Sequence, residues 1–180
     1  MKREIEPFRQ GELDSLCGIY AVLNALTALC PDFDGELGAV IFRKMVKVLG
    51  TTADRPLAAL HVGMSQDLVQ AMLDVGCREV ERVLDVKIRS RPFPTFDEHP
   101  TLGALWSCLQ GELSHKQVAI LGVSGADEHW TVAYAVTDKV IRLVDSQNWS
   151  VLRRGRCTTK PARTRFRLDP AAIVLVRRKG

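Results

Sequence analysis

The hydrophobic pattern of this chain changes its period about half-way along, and this change constrains the fold more than any other feature. Apolar residues first recur at helical spacing, over about 16–29, 36–49, 65–75 and 101–112. Runs rich in β-branched residues then predict strands, near 118–123, 130–136, 140–144 and 172–176, with an earlier one near 83–90. Helices first and strands later, without regular alternation, predict an α+β fold whose N-terminal helices pack on a C-terminal antiparallel sheet.

The length of 180 residues suits one domain, and no repeat or flexible linker divides it. We therefore predict a single domain over residues 1–180. Apolar residues make up 46% and no apolar run approaches the roughly 20 residues of a membrane span, so we expect no membrane association. Acidic residues stand near the start, where a secretory signal would have its apolar core, which predicts a cytoplasmic protein.

Cysteine and histidine usage favours neither disulfides nor a metal. The chain has five cysteines, an odd number, without a CxxC pair, so we expect free thiols. The four histidines and the cysteines lack the paired spacing of a zinc site. We expect no cofactor and no metal.

The net charge of +4 is unevenly distributed. Residues 150–180 hold ten Lys/Arg against one acidic residue, whereas residues 1–149 hold fifteen against twenty. A solvated basic loop explains this simply, and an acidic protein partner is a further interpretation. Nucleic acid is the less favoured partner because Phe166 is the only aromatic residue among these arginines.

Cys17 lies at the predicted start of a long apolar helix, with Asp14 or Ser15 placed as its N-cap. In the first turn, unpaired N–H groups and the positive end of the helix dipole favour the thiolate, which is the form that attacks a carbonyl carbon. The position also suits a small buried thiol in a core helix. Cys17 is therefore a candidate nucleophile.

His129 opens a predicted strand, and the next strand returns beside it and ends in Asp145. If residues 137–139 form the loop of this hairpin, Thr131 pairs with Asp145, and His129 lies diagonal to Asp145 on the same face. A carboxylate there fixes the imidazole tautomer that a cysteine nucleophile needs in its base. A two-residue loop would place Asn148 opposite His129, so Asn148 is the alternative orienting residue.

Together these residues resemble the papain-like cysteine peptidases. The resemblance consists of Gln10 shortly before the cysteine, the pattern Cys-Gly-x-x-Ala-x-x-Asn-Ala from Cys17, a His-Trp pair at His129, and Asp145 at the end of the next strand. The Asp-x-x-Cys-Gly and His-Trp-Thr-Val segments are similar to leader-cleaving peptidases of bacteriocin exporters. The Ser-Leu-Cys sequence is similar to Josephin-type deubiquitinases.

The resemblance implies a papain-like fold and a thiol hydrolase that cleaves a peptide or isopeptide bond in a protein or peptide substrate. It implies Cys17 as nucleophile, His129 as general base and acid, and Asp145 as the orienting residue. It implies an oxyanion hole from Gln10 and the Cys17 N–H group, and it makes Trp149 a candidate shield over the His129 to Asp145 hydrogen bond.

Other functions stay open at the level of sequence. An acyl transferase or a glutamine deamidase uses the same triad, and a binding module keeps the fold and uses the basic C-terminal segment. Glu12 and Asp14 flank the nucleophile and are candidates for selecting basic substrate residues, or simply part of a solvated loop. Cys157 lies among arginines, which lower a thiol pKa, or is an incidental surface thiol. His99, in the Pro-rich loop, is a candidate for lining a substrate cleft, or a loop histidine without a role. We expect the remaining histidines and cysteines to be surface, loop or core residues: His61, His115, Cys30, Cys77 and Cys108.

Overall fold

The computed structural model describes residues 5–11, 15–52, 63–96 and 99–179. These residues form four α-helices: α1 (Cys17–Leu29), α2 (Gly35–Thr52), α3 (Gln66–Leu84) and α4 (Leu102–Glu112). They also form seven strands: β1 (Ile88–Pro92), β2 (Gln117–Gly125), β3 (His129–Val136), β4 (Val140–Val144), β5 (Val151–Arg153), β6 (Cys157–Thr158) and β7 (Phe166–Arg178). A 3-10 turn, Arg154–Arg156, joins β5 to β6.

The strands form one sheet in the order β1-β7-β2-β3-β4-β5. All neighbouring pairs in this order are antiparallel, and only the two-residue strand β6 pairs parallel, at the edge of β7. Helices occupy the N-terminal half and most strands the C-terminal half, so the predicted α+β class is confirmed. The sheet is not purely C-terminal, because β1 precedes α4.

Helices cover both faces of the sheet, and the strands alternate between two cores. In β2, Val118 and Ile120 face the core formed with α1, α2 and α3, while Ala119 and Leu121 face the core formed with α4. Helix α1 is buried on nearly every face, as its apolar sequence predicts. The start of α1 is therefore held rigidly against the sheet.

Helix α3 is longer than the sequence predicted. Its buried residues Met72, Leu73, Gly76 and Val80 keep helical spacing to Leu84, so the predicted end at 75 is wrong. The strand predicted near 83–90 exists as β1 but begins only at Ile88. The β-branched run beyond 83 suggested a strand, but packing of this face on α1 and α2 outweighs that preference. Among the described residues, no helix combines the length and apolar character needed to cross a bilayer.

Candidate active site

Cys17 is the first residue of α1, as predicted. The N-cap is Leu16, which packs into the core and offers no side-chain cap, so the expectation of Ser15 is wrong; Asp14 lies outside the described residues. Within the described residues, the N-cap side chain makes no hydrogen bond to the first-turn N–H groups of α1. A helix N-terminus carries a positive partial charge, so Cys17 lies where a negatively charged group is favoured in general.

The segment just before α3, residues 63–65, lies beside Cys17 and lines the same cleft. A Cβ atom at Gly18 would lie 2.8 Å from both Met64 Cε and Val69 Cγ2, so glycine allows α1 to approach this segment closely. The indole Nε1 of Trp130 donates to the carbonyl oxygen of Met64 at 2.9 Å. Gly18 and Trp130 therefore both help to position Met64 beside Cys17.

The turn between β3 and β4 is tighter than the sequence predicted. Thr137 N–H donates to Val140 O at 2.8 Å, and Val136 pairs with Ile141. The Thr137 hydroxyl also accepts the Val140 N–H group at 3.2 Å, which favours the short turn. Residues 137–139 separate the two strands as predicted, but the predicted pairing of Val136 with Val140 is wrong, because Thr137 bonds Val140 and closes a two-residue turn.

A β-bulge restores the predicted register further along the hairpin. Tyr134 is an extra residue in β3, opposite no residue of β4, so Val132 pairs with Val144. This is the register that the sequence predicted near the site. It brings His129 to Asp145 although the turn differs from the prediction.

His129 and Asp145 form a buried hydrogen bond, with Nε2 2.7 Å from Oδ2 and side chains only 1% and 0% exposed. The second carboxylate oxygen, Oδ1, accepts the backbone N–H groups of Gln147 at 2.8 Å and Trp149 at 3.0 Å. One carboxylate therefore holds both the imidazole and the turn that follows β4.

Asn148 lies at the surface of that turn with a left-handed φ of 67°. Its side-chain oxygen accepts a hydrogen bond from Arg9, and the residue is exposed. The structure therefore places Asp145, and not Asn148, against His129.

Opposing effects set the pKa values of the buried pair. Burial lowers the pKa of His129, but the hydrogen bond with Asp145, the neighbouring Cys17 thiol and the charges of both residues raise it to about 9. Burial raises the pKa of Asp145, but interactions with His129, Thr131 and the Trp149 N–H group hold it below its ordinary value. The carboxylate is therefore charged, and the imidazole favours its protonated form.

The imidazole uses its two nitrogens on opposite sides. Nε2 binds Asp145, whereas the buried Nδ1 has no hydrogen-bond partner among the described residues. Cys17 interacts with the same ring and lines the same cleft. His129 thus lies between a carboxylate and a thiol, with Nδ1 available to the thiol.

Trp149 packs on the imidazole, with ring centroids 4.8 Å apart. Phe166 in turn packs on Trp149 at 5.3 Å. These rings help keep water from the hydrogen bond between His129 and Asp145, which is the position predicted for a shield.

A cleft of about 420 Å³ opens over Cys17 and His129. Its wall includes residues to which the sequence assigned no role, namely Gly63, Met64, Ser65, Gly122, Val123, Ser124, Glu128, Asp169 and Ala172. Glu128 was detectable as the neighbour of the candidate base. Asp169 was not detectable, since no sequence pattern placed the start of β7 at this cleft.

The structure ties Gln10 to the site through its backbone. Gln10 N–H donates to the carbonyl oxygen of Ser146 at 3.2 Å, directly after Asp145. Two residues earlier, Phe8 N–H donates to the Asn24 side chain at 2.7 Å, and the Asn24 amide returns a bond to Phe8 O at 3.2 Å. Gln10 is not among the described residues that line the cleft, so its oxyanion role stays a prediction.

Burial holds three of the other cysteines as neutral thiols. It raises the pKa of Cys77 to about 12 and that of Cys157 to about 11, and it also raises the pKa of Cys108. Both interpretations of Cys157 are wrong, since the thiol is fully buried and Arg165 lowers its pKa by less than burial raises it. Cys30 is buried as well.

The remaining candidates lie away from this arrangement or outside the described residues. His99 is exposed and lines a second pocket of about 530 Å³ among prolines and phenylalanines, which shares Asp169 with the cleft over Cys17. His115 is exposed in the turn before β2. His61 and Glu12 lie outside the described residues. The described part of the chain contains no group of three or more His, Cys, Asp or Glu side chains able to hold a metal ion.

No protein-family model and no curated protein matches this chain. The chemistry is therefore inferred from the site itself. A thiol at a helix start, an imidazole beside it and a buried carboxylate behind the imidazole are able to generate a thiolate and to move one proton.

Proposed function

We propose that this protein is a thiol hydrolase of the papain-like type that cleaves a peptide or isopeptide bond through an acyl-enzyme on Cys17. The observation that carries the proposal is the buried hydrogen bond between His129 Nε2 and Asp145 Oδ2, on an imidazole that also interacts with Cys17. A structural histidine needs no such pair of partners. A cysteine nucleophile needs both.

In the first half of the reaction, the Cys17 thiolate attacks the carbonyl carbon of the scissile bond. The oxyanion is stabilised by the Cys17 N–H group, with the Gln10 side chain as the second donor. Protonated His129 gives its Nδ1 proton to the leaving amine, and the C–N bond breaks to leave a thioester. Asp145 keeps the imidazole oriented throughout.

In the second half, neutral His129 takes a proton from water, and the resulting hydroxide attacks the thioester carbon. The C–S bond breaks, the acid product leaves, and the thiolate–imidazolium pair is restored. Acyl transfer to an amine would differ only in the nucleophile of this step.

We place this reaction in a reducing compartment such as the cytoplasm. The nucleophile must be a free thiol, and all five cysteines are free in the structure. Disulfides persist mainly in oxidising compartments. The substrate we expect is a protein or peptide.

Selective alkylation tests the nucleophile. We expect limiting iodoacetamide near pH 7 to modify Cys17 at least about tenfold faster than Cys30, Cys77, Cys108 or Cys157, because the imidazolium stabilises its thiolate. Peptide mapping by mass spectrometry measures each site. Equal or slower labelling of Cys17 would contradict the proposal.

Acyl-adduct detection tests the reaction class. The wild-type protein is incubated with ubiquitin-like, peptide and glutamine-bearing substrates, and Cys17→Ala is the matched control. Hydrolysis in H₂¹⁸O should place the heavy oxygen in the new carboxyl group. Transfer of the acyl group to an added amine would instead support an acyl transferase.

A further inference from the structure

The segment 153–167, here named the basic segment, carries an uncompensated positive charge. Between Asp145 and Asp169 the sequence contains no acidic residue. Within the described residues, Arg167 pairs with Asp169 at 2.7 Å, and the other six cations form no ion pair with a carboxylate. Most of these side chains are exposed: Arg153, Arg156, Lys160, Arg163 and Arg165.

The basic segment is fixed beside the candidate active site. Gly125 has a φ of +95°, and a Cβ atom there would lie 2.5 Å from Arg165 O and 2.6 Å from Ala162 O. Ala126 N–H donates to Arg165 O at 3.1 Å. The segment therefore packs closely on the chain that leads to His129.

The cleft itself carries an acidic residue, Glu128, which is exposed and forms no ion pair among the described residues. Asp169 also lines the cleft, but Arg167 balances its charge. An acidic ligand would be repelled from the cleft and attracted to the basic segment next to it. The two charges together favour a ligand whose acidic part lies outside the cleft.

The aromatic residue of the basic segment favours a polypeptide ligand over nucleic acid. Phe166 is the only aromatic residue between 153 and 167, and its ring packs on Trp149. It is therefore engaged within the protein. A single-strand binder needs free aromatic faces for base stacking.

We propose that the basic segment is a docking site for an acidic stretch of the polypeptide substrate, outside the cleft that receives the scissile bond. This inference rests on the proposed function, because the polypeptide that docks is the substrate that Cys17 attacks. The docking itself is a binding event. It is measured without turnover, so its failure and the failure of the proposed chemistry are separate results.

Fluorescence anisotropy with a fluorescein-labelled decaglutamate peptide tests the docking on the full chain. The variant Arg156→Glu/Lys160→Glu/Arg163→Glu should bind this probe at least about tenfold more weakly than wild type, since each reversal replaces attraction by repulsion. Raising NaCl from about 50 to about 300 mM should also weaken binding to the wild type. A Gly/Ser peptide of equal length should not bind.

The control variant Arg43→Glu/Lys47→Glu reverses two exposed cations on α2. It lowers the net charge from +4 to 0, against −2 for the triple reversal. It should bind decaglutamate within about twofold of wild type if attraction is local to the basic segment and screened over about 10 Å. Equal weakening by both variants would overturn the proposal by showing attraction to net charge alone. Should the triple reversal fail to fold, Arg156→Gln/Lys160→Gln/Arg163→Gln replaces it, with a smaller loss expected.

Competition separates the two kinds of anionic polymer. Unlabelled decaglutamate should displace the probe. A single-stranded oligothymidine of about ten nucleotides carries a similar number of charges and should displace the probe no more effectively than decaglutamate. An oligothymidine that binds at least about tenfold more tightly than decaglutamate would overturn the assignment to a polypeptide.

Discussion

At the scale of single residues, Asp145 connects the candidate chemistry to the backbone. Its Oδ2 atom binds the imidazole of His129, while Oδ1 accepts the N–H groups of Gln147 and Trp149. Asparagine has nearly the same shape but carries no charge. Asp145→Asn therefore separates the orienting effect from the electrostatic one.

We expect Asp145→Asn to slow alkylation of Cys17 by iodoacetamide near pH 7 by about tenfold or more, because the imidazolium that stabilises the thiolate loses its carboxylate partner. Asn148→Ala removes a surface contact with Arg9 and should change the rate less than about threefold. Mass spectrometry of the labelled peptide measures both. The opposite ranking would make Asn148 the orienting residue.

The raised pKa of His129 predicts how stability depends on pH. The pKa rises from 6.5 to about 9 in the folded protein, so protonation favours folding. This contribution is fully present below about pH 6.5 and is lost as pH rises through about 9. We expect the free energy of unfolding to fall over this window by roughly 1 to 3 kcal/mol.

Urea unfolding at a series of pH values measures this change. His129→Gln should flatten the fall between about pH 6.5 and 9, whereas His115→Gln, at an exposed position, should leave it in place. A slope that survives in His129→Gln would mean that another group is responsible.

Asn24 belongs to the segment that resembles the papain-like pattern, and in this chain its side chain clamps the backbone of Phe8. It is 1% exposed and bonds both the N–H and the C=O of Phe8, which fixes the segment leading to Gln10. We expect Asn24→Ala to cost about 1 to 3 kcal/mol and to speed hydrogen exchange of the Phe8 amide. Gln117→Ala, which also removes a buried amide, should leave that exchange unchanged. Unaltered Phe8 exchange in Asn24→Ala would contradict the clamp.

At the scale of elements, Gly125 joins β2 to the basic segment. Its φ of +95° and the carbonyl oxygens of Ala162 and Arg165 leave no room for a side chain. We expect Gly125→Ala to destabilise the protein by about 2 to 3 kcal/mol, through backbone strain and steric overlap. Gly111→Ala in α4 is the matched control, because nothing lies within 4 Å of its Cβ position, and it should be neutral or stabilise by about 0.5 kcal/mol. Thermal unfolding of both variants decides between these outcomes.

The hairpin illustrates how far local sequence determines an element. The alternation of apolar residues identified β3 and β4, and it placed Asp145 near His129. It did not predict the Thr137 hydrogen bonds that shorten the turn, nor the bulge at Tyr134 that compensates for it. Turn and bulge depend on hydrogen bonds between residues on different strands, which a one-dimensional pattern does not contain.

Only the second half of strand β7 was predicted from the sequence. The apolar run that predicted 172–176 is its buried second half, whereas the first half begins at Phe166 among arginines and contains Pro170. Those residues form a strand because β2 pairs with them beyond a register shift. The contribution of Asp169 to the cleft depends on that long-range pairing, so the sequence alone did not reveal it.

At the scale of the whole molecule, the sheet is shared by two apolar cores. Ile120 and Val132 belong to the core with α1, while Ala119, Leu121 and Ala133 on the same strands belong to the core with α4. Neither core has a sheet of its own. Loss of either should therefore expose one face of the strands on which the other depends.

This sharing predicts that the described chain unfolds as one cooperative unit, in agreement with the single domain expected from its length.

Tryptophan fluorescence tests this, because Trp130 belongs to the first core and Trp106 to the second. Two single-tryptophan proteins, one Trp106→Phe/Trp149→Phe and the other Trp130→Phe/Trp149→Phe, should each show the same urea midpoint by fluorescence and by far-UV circular dichroism. In either protein, Leu26→Ala in the first core and Leu109→Ala in the second should each lower the free energy of unfolding by about 2 to 5 kcal/mol. Each substitution should shift the urea midpoint equally in the protein that retains Trp106 and in the protein that retains Trp130. If Leu109→Ala moved only the Trp106 transition, the two cores would be separate folding units and the single-domain prediction would be wrong.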